Sequence, residues 1–265
     1  MQNNFEIAYK NLVDQVMTNG DLRHTRNGVT KSLFGTTLGF DLQEGFPLLT
    51  SRKMYHKGVT GELAAMLRGP KTLKDFEKQG CNYWSKWADE DGQLVLDYGN
   101  AWRDFNGVDQ LQNVIDTLIH NPTDRRMIIT GWRPDRIAEL SLPCCHYSYQ
   151  FYVREGIYLD MIWTQRSADV MIGIPSDAVF AAAWIIAMSK ETSLLPGRVT
   201  MNFGDTHIYE EHIAGVIEYQ QAKMYEAPQF MWVGKDGQKT VDFTTDDLKI
   251  KTYKHGSAIK FELKE

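Results

Sequence analysis

The sequence has few cysteines, no long apolar run and no excess of positive charge. Its 265 residues include three cysteines, and 29 Lys and Arg stand against 34 Asp and Glu, for a formal net charge of −5. This balance argues against a polycation built for DNA or RNA. No stretch approaches 18 consecutive apolar residues, and the start lacks the charged-then-apolar layout of a secretory signal. We therefore expect a cytoplasmic protein without a membrane segment or a nucleic-acid partner.

The cysteines cannot form a disulfide framework. Cys144 and Cys145 are adjacent, and a bridge between neighbouring residues is strained, so at least one thiol is expected to be free. No CxxC or HxxxH spacing accompanies them, and we expect no metal site. Phosphate loops of the GxxxxGK[ST] or GxGxxG kind are also absent, which disfavours the binding of a nucleoside triphosphate or a dinucleotide by those routes.

The remaining pattern predicts one α+β domain over residues 1–265. A hydrophobic content of 43% is enough for a sizeable core, and no linker or repeat divides the chain. Helical spacing of apolar residues predicts helices at 5–19, 111–118 and 209–223, and a buried central helix at 176–193. Strands are predicted at 32–42, 126–133 and 199–203, with a hairpin over 147–166 that turns at Glu155-Gly156. Helices packed on a largely antiparallel or mixed sheet are the expected architecture.

The segment Leu142-Pro143-Cys144-Cys145-His146 places a thiol beside a histidine. A nearby cation lowers the pKa of a thiol, and the thiolate is the form that attacks carbon, so this is a candidate nucleophile. Cysteine is also among the most buried residue types, and taken alone the segment favours a thiol in the core.

Three other groups have both a functional and a structural interpretation. Arginines at 124–126 and 165–169 suggest a phosphorylated small molecule, although surface ion pairs explain any single one. The segment 204–209 is predicted to follow a strand and open a helix, with His207 and Tyr209 able to share one ligand hydroxyl. The aromatic segments 84–87 and 98–103 predict core packing or a stacking wall for a flat cofactor.

In their order along the chain these motifs resemble the thymidylate synthase family. The matching segments are GFPLLTSRK at 45–53, GEL at 61–63, WSKWADE at 84–90, YG at 98–99, DRR at 124–126, CH at 145–146, QFYV at 150–153, QRSAD at 165–169, GIP at 173–175 and GDTHIY at 204–209. The resemblance implies a single-domain thymidylate synthase-like fold and a homodimer formed through the sheet. It also implies the transfer of a one-carbon unit from 5,10-methylenetetrahydrofolate to C5 of a pyrimidine nucleoside monophosphate.

The resemblance further implies roles for individual residues. Cys145, which directly precedes the histidine, would attack C6 of the base, whereas Cys144 stands where the family has proline. Glu62 would organise proton transfer through water, and Tyr98 would assist removal of the C5 proton. The other implied contacts are the phosphate ligands Arg26, Arg166 and Ser167, with Arg125 and Arg126 from the partner chain; His207 and Tyr209 on the sugar hydroxyl; Gln165 and Asp169 on the substrate; and Trp84, Leu142, Gly173 and Ser176 in the folate pocket.

Ser176-Asp177 departs from the family, which has Phe-Asn after this proline. The family's asparagine donates to O4 of uracil and accepts from N3–H. Asp177 can instead accept from the amino group of cytosine and share a proton with N3, whereas an ionised aspartate facing O4 of uracil is repelled. The exchange resembles that in bacteriophage deoxycytidylate hydroxymethylases, and it predicts dCMP as the substrate, in host cytoplasm if the chain is phage-encoded.

Ser176 bears on the product. Loss of an aromatic side chain from the folate wall favours the addition of water, and so a hydroxymethyl product, while the retained Trp84 and Leu142 favour a methyl product. A synthase that forms a 5-methyl group on dCMP or dUMP therefore remains an alternative. A ribonucleotide substrate and a catalytically idle nucleotide-binding relative are lower alternatives.

Overall fold

The computed structural model describes residues 2–264. Its α-helices are α1 (Asn4–Asn19), α2 (His56–Met66), α3 (Leu73–Glu77), α4 (Gly99–Arg103), α5 (Gln110–His120), α6 (Gly173–Thr192) and α7 (Ile213–Gln221). Its strands are β1 (Asp21–Thr25), β2 (Gly28–Asp41), β3 (Ile128–Thr130), β4 (His146–Arg154), β5 (Tyr158–Asp169), β6 (Leu195–Tyr209), β7 (Gln229–Trp232) and β8 (Leu248–Lys251). The expected α+β class is confirmed.

Within this part of the chain the main sheet has six strands in the order β1-β2-β6-β5-β4-β3. All neighbouring strands are antiparallel except β5 and β6, which are parallel, so the sheet is mixed, as expected. The hairpin predicted over 147–166 is present as β4 and β5, and Glu155 adopts a positive φ of 57° at its turn. β7 and β8 form a separate antiparallel pair.

The buried central helix predicted from the sequence is α6, which connects the two parallel strands. Residues 178–189 of this helix are all buried, since α2 and α5 pack on the sides that the sheet does not cover. A helix that is apolar all round is expected only where neighbours surround it. Because α6 follows closely after β5 in the chain, its first turn lies where β5 ends.

Gly99 allows α4 to lie directly against the end of α2. A Cβ atom at this position would overlap the carbonyl group of Met66. This close approach holds Tyr98, at the N-terminus of α4, beside the segment that carries the two adjacent cysteines.

The segment 204–209 differs from the prediction that it opens a helix. It is the end of β6, paired with β2 on one side and with β5 on the other, and α7 begins only at Ile213. Two neighbouring strands satisfy its backbone, and these long-range partners override the local pattern. Conversely, β3 covers only three residues of the apolar run at 126–133.

None of the helices within residues 2–264 has both the length and the apolar character needed to span a membrane.

Candidate active site

A cavity of about 530 Å³ opens where β5 and β6 end and α6 begins. This volume lies in the range typical of small-molecule sites. It gathers candidate residues that are far apart in the sequence: Arg26, Glu62, Trp84, Tyr98, Leu142, Cys145, Gln165, Arg166, Ser167, Asp169, Gly173, Asp177, His207 and Tyr209.

Cys145 lies in the cavity wall, immediately before β4. Its backbone N–H donates to the Tyr98 hydroxyl at 2.8 Å, and its carbonyl accepts from the backbone N–H of Arg166 at 2.8 Å. The Arg166 guanidinium donates to the carbonyls of Cys144 at 2.7 Å and Pro143 at 3.0 Å. The loop that carries the thiol is therefore fixed from two sides.

The two neighbouring thiols have different environments. Cys144 is buried, with its Sγ 3.7 Å from the carbonyl oxygen of Gly131, and burial raises its pKa far above the usual range. Burial also raises the pKa of Cys145, and the charge of Asp177 adds to this, whereas the positive charge of Arg166 and a hydrogen bond from Tyr98 oppose it. Cys145 lines the cavity and Cys144 does not, so Cys145 is the thiol that can reach a ligand.

The cation beside Cys145 is not His146. Burial lowers the pKa of His146 to about 3, so this imidazole is neutral at physiological pH. Its Nδ1 lies 2.5 Å from the Tyr149 hydroxyl, and its ring packs against Trp163 with centroids 4.3 Å apart. The sequence-based idea that a neighbouring histidine activates the thiol is wrong for this residue, and Arg166 supplies the positive charge.

Glu62 enters the cavity from α2. Its carboxyl accepts hydrogen bonds from the Tyr83 hydroxyl at 2.6 Å and the Trp84 indole at 2.8 Å. Burial raises the pKa of Glu62 to about 7 in spite of these two donors. A carboxyl group that is half protonated near neutral pH is suited to both accepting and giving a proton.

Asp177 enters from the first turns of α6. Its Oδ2 accepts from the Gln165 amide nitrogen at 2.9 Å. Burial raises the pKa of Asp177 to about 7, and the negative charges of Glu62 and Asp169 add to this effect, although the bond from Gln165 opposes it. The cavity therefore holds two carboxyl groups that are partly protonated at neutral pH.

Polar side chains from β5 and β6 also line the cavity and form a polar wall. His207 lies in register with Asp169 of β5 and Ser32 of β2, and Tyr209 follows it on β6. The Nδ1 of His207 lies 3.0 Å from an Asp205 oxygen, which orients the ring and leaves Nε2 free for a ligand.

The turn between β1 and β2 adds a positive charge to this wall. Arg26 and Asn27 form the turn, closed by the pairing of Thr25 with Gly28, whose φ of 134° suits glycine. Arg26 is exposed and lines the cavity together with Arg166, so the structure brings these two candidate phosphate ligands into one site.

The aromatic residues at the cavity fit both interpretations made from the sequence, core packing and a flat surface for a ligand. Trp84 is buried and stacks on Phe76 with ring centroids 5.0 Å apart, yet it also lines the cavity beside Trp87 and Leu142. It therefore packs in the core and presents a flat apolar surface to the cavity.

Three candidate residues do not line this cavity. Arg125 and Arg126 are exposed on the loop before β3, and Arg126 pairs with Asp124 at 2.6 Å. Ser176 donates its hydroxyl to the Ile172 carbonyl at 2.9 Å inside α6 and does not form part of the wall.

Several lining residues were missed from the sequence. Tyr83 hydrogen-bonds Glu62, and Asn27 neighbours Arg26, while Met66 and Ile172 extend the apolar wall. The position of Met66 four residues after Glu62 on one helix was a usable signal for a shared face. Tyr83 offered none, because its contact with Glu62 spans 21 residues and depends on packing.

Among residues 2–264, the side chains form no cluster of three or more His, Cys, Asp or Glu that could hold a metal ion.

Comparison with known protein families gives a match over nearly the whole chain. The family described as thymidylate synthase matches residues 7–265.

The raised pKa of Asp177 predicts a pH-dependent cost to stability. The folded protein holds the proton up to about pH 7, whereas the unfolded chain releases it near pH 4, so the free energy of unfolding falls as the pH rises between these values. The Asp177→Asn variant lacks this loss. We expect its stability relative to the intact protein to increase by a few kcal/mol, at about 1.4 kcal/mol per pKa unit, from pH 4.5 to pH 7.5.

Urea unfolding at a series of pH values measures this difference. Replacement of the exposed Asp116 by Asn is the control. A constant difference between Asp177→Asn and the intact protein across this range would contradict the prediction.

Proposed function

Because the match over residues 7–265 shows that the chain belongs to the thymidylate synthase family, we propose that it is a folate-dependent deoxycytidylate hydroxymethylase. Membership points to a transferase that moves a one-carbon unit from methylenetetrahydrofolate to a nucleotide. The choice of dCMP as the acceptor and of a hydroxymethyl group as the product are the finer parts of the proposal.

Cys145 starts the reaction by adding its thiolate to C6 of the pyrimidine. This addition makes C5 nucleophilic. A hydroxyl group of ordinary pKa would add to C6 less readily at neutral pH, because very little of it is ionised. The positive charge of Arg166 and the Tyr98 hydrogen bond support this role, because both favour the thiolate. The thiolate leaves C6 again at the end of the reaction, which restores the ring.

Two polar groups of residues hold the nucleotide in this proposal. Arg26, Arg166 and Ser167 bind the phosphate, and all three line the cavity. His207 and Tyr209 bind the sugar hydroxyl; the contact of His207 with Asp205 supports this role, since it fixes the imidazole ring. Gln165 and Asp169 complete the substrate wall.

The observation that carries the choice of base is the state of Asp177. A half-buried carboxyl with a pKa of about 7 can be neutral near physiological pH, and it can then donate to N3 of cytosine while it accepts from the amino group. The family's asparagine presents a fixed amide to uracil instead. A neutral aspartic acid also avoids the cost of an unpaired buried charge.

The cofactor wall is compatible with a bound folate. Trp84 offers a buried aromatic surface next to the apolar Leu142, and Gly173 leaves space beside Asp177. Methylenetetrahydrofolate supplies the one-carbon unit when it is bound there. Glu62, with its pKa of about 7, accepts and returns the protons that water and the base exchange.

Water, rather than hydride, is proposed to add to the C5 methylene group before the thiolate leaves, because the residue at position 176 is not aromatic. The C5 methylene group forms when C5 releases its proton with the help of Tyr98 and the bond to tetrahydrofolate breaks. Hydroxide from water then adds to the methylene group, and Glu62 accepts the proton that remains. The position that carries phenylalanine in the family is Ser176, whose hydroxyl is bonded within α6. No aromatic side chain from this position therefore shields the methylene group from water.

A homodimer formed through the outer face of the sheet completes the proposed site. This face exposes apolar side chains such as Tyr152, 60% exposed, and Ile162, 43% exposed, beside Arg198 and Thr200. Arg125 and Arg126 would reach the phosphate of the partner's site. Their position on the loop before the edge strand β3, outside the cavity of their own chain, supports contact in trans.

The product distinguishes this proposal from the methyl-forming alternative. Incubation with methylenetetrahydrofolate and dCMP should give a nucleotide that has gained CH₂O, with no increase in dihydrofolate absorbance. A gain of CH₂ accompanied by dihydrofolate would show methyl transfer instead.

Cys145→Ser should abolish turnover and retain nucleotide binding, whereas Cys144→Ser, which alters the buried thiol, should retain turnover.

Asp177→Asn should change the preferred base. The variant presents an amide, so the ratio of kcat/KM for dCMP to that for dUMP should fall by at least about fivefold, because a mismatched buried hydrogen bond costs about 1–3 kcal/mol. Steady-state kinetics on both nucleotides measures the ratio. Ser176→Ala, a change next to it in the same helix, is the control, and an unaltered ratio in Asp177→Asn would place base selection elsewhere.

Mixing two inactive variants tests the contact in trans. A heterodimer of Cys145→Ser with Arg125→Ala/Arg126→Ala contains one intact site, so random exchange should restore about a quarter of the intact activity. A mixture of Cys145→Ser with Glu62→Gln is the control, because both changes lie in the cavity of a single chain. No gain over the separate variants would show that the two arginines do not act across an interface.

A further inference from the structure

Gln165 is held at both ends of its side-chain amide. The Trp163 indole N–H donates to its Oε1 at 3.0 Å. Its Nε2 donates to the Ser167 carbonyl at 2.9 Å and to Asp177 Oδ2 at 2.9 Å. Trp163 is 0% exposed and Gln165 is 3% exposed, so water does not compete for these bonds.

The chemistry of the partners determines which way the amide faces. An indole N–H can only donate, and a backbone carbonyl can only accept. Oε1 of Gln165 must therefore face Trp163, and its two N–H bonds must face Ser167 and Asp177. A reversed amide would set donor against donor at Trp163 and acceptor against acceptor at Ser167.

This orientation limits where Asp177 can carry a proton. Oδ2 accepts from an N–H of Gln165, and a carbonyl oxygen is a better acceptor than a hydroxyl oxygen. This bond therefore favours a neutral Asp177 that carries its proton on Oδ1. The carboxyl then presents one donor and one acceptor in a fixed order.

A fixed order is what a carboxylic acid needs in order to distinguish two pyrimidines. Cytosine offers an amino donor and an N3 acceptor, and uracil offers the opposite pair. A neutral carboxyl whose proton moves freely between its oxygens could satisfy either base, so it would discriminate poorly.

We propose that Trp163 is a positioning residue for base selection, which acts through Gln165 to keep the proton of Asp177 on a single oxygen. The inference rests on the proposed function, because it assumes that Asp177 reads the base. Trp163 itself would not touch the nucleotide.

Several other groups influence the charge of Asp177. Glu62 on α2 and Asp169 at the end of β5 raise its pKa, while Cys145 before β4 and Tyr149 on β4 are coupled to its charge. Tyr149 packs against Trp163, with ring centroids 5.0 Å apart, so replacing the indole also changes the surroundings of one of these groups. The effect of that replacement reports on the bond to Gln165 only when it is compared with a control that alters the same packing.

Trp163 also packs in an aromatic cluster, so a matched control is needed. Its ring lies 5.0 Å from Tyr149, centroid to centroid, and the ring of Trp184 lies 4.8 Å from the same tyrosine. Trp184 is equally buried, but its indole N–H has no hydrogen-bond partner in the described part of the chain. Trp184→Phe therefore removes a similar volume without breaking an indole hydrogen bond.

The test compares Trp163→Phe with Trp184→Phe in the full-length protein. Trp163→Phe frees Oε1 of Gln165, so the amide donates less firmly to Asp177. We expect the preference for dCMP over dUMP in kcat/KM to fall about tenfold, and the pKa of Asp177 in the ligand-free protein to rise by about one unit. Carbon-13 NMR of labelled aspartate follows this titration, and Trp184→Phe should alter neither quantity.

A double-mutant cycle shows whether Trp163 acts through Gln165. In a Gln165→Met background, Trp163→Phe should have no further effect on the Asp177 titration. An equal effect in both backgrounds, or an unchanged titration in Trp163→Phe alone, would overturn the inference.

The two readouts also separate this inference from the proposed function. If the intact protein shows no preference for dCMP while Trp163→Phe still shifts the Asp177 titration, then the proposed base selection fails and Trp163 positions a group with another task. If dCMP is preferred but neither readout responds to Trp163→Phe, the proposed function stands and the role of Trp163 is overturned.

Discussion

The parallel pairing of β5 with β6 is the constraint on which the candidate site depends. Parallel neighbours require a crossover, and α6 provides it by passing through the core of the molecule. Both strands therefore end at the same edge of the sheet, and the helix begins there. Gln165 and Asp169 from β5, Asp177 from α6 and His207 from β6 meet because of this connection.

The acidic groups of the site are largely shielded from solvent, whereas its basic groups are exposed. Burial raises the pKa of both Glu62 and Asp177 to about 7, whereas Arg26 and Arg166 belong to the exposed part of the chain. Arg166 has two tasks in this arrangement. It braces the loop before β4 through two carbonyl groups, and its charge favours the ionised form of Cys145.

Much of the fold could be predicted from local sequence patterns. The hairpin, α1, α5 and the buried α6 follow from periodicity and turn residues, and they are where the sequence placed them. The segment 204–209 was mistaken for the start of a helix because its strand character comes from its neighbours β2 and β5.

The candidate site was recognised as a set because its residues occur in a familiar order. That order predicts neither the distances between the side chains nor their protonation states. The neutral state of His146 and the bond from Tyr83 to Glu62 depend on packing between distant elements, which no local pattern records. The roles assigned to Arg125 and Arg126 depend on a second chain and remain predictions.

The burial of α6 on all sides has an evolutionary consequence. Neighbouring elements surround residues 178–189 and hold the helix in place, whereas Gly173, Ser176 and Asp177 in its first turns are only partly buried, and a substitution there changes the groups at the cavity. Single substitutions near position 177 can therefore change the ligand that the cavity favours, while Cys145 and Arg166 keep their positions. The first turns of α6 are therefore the part of the site that can change in related proteins, whereas the loop of Cys145 is the part that stays constant.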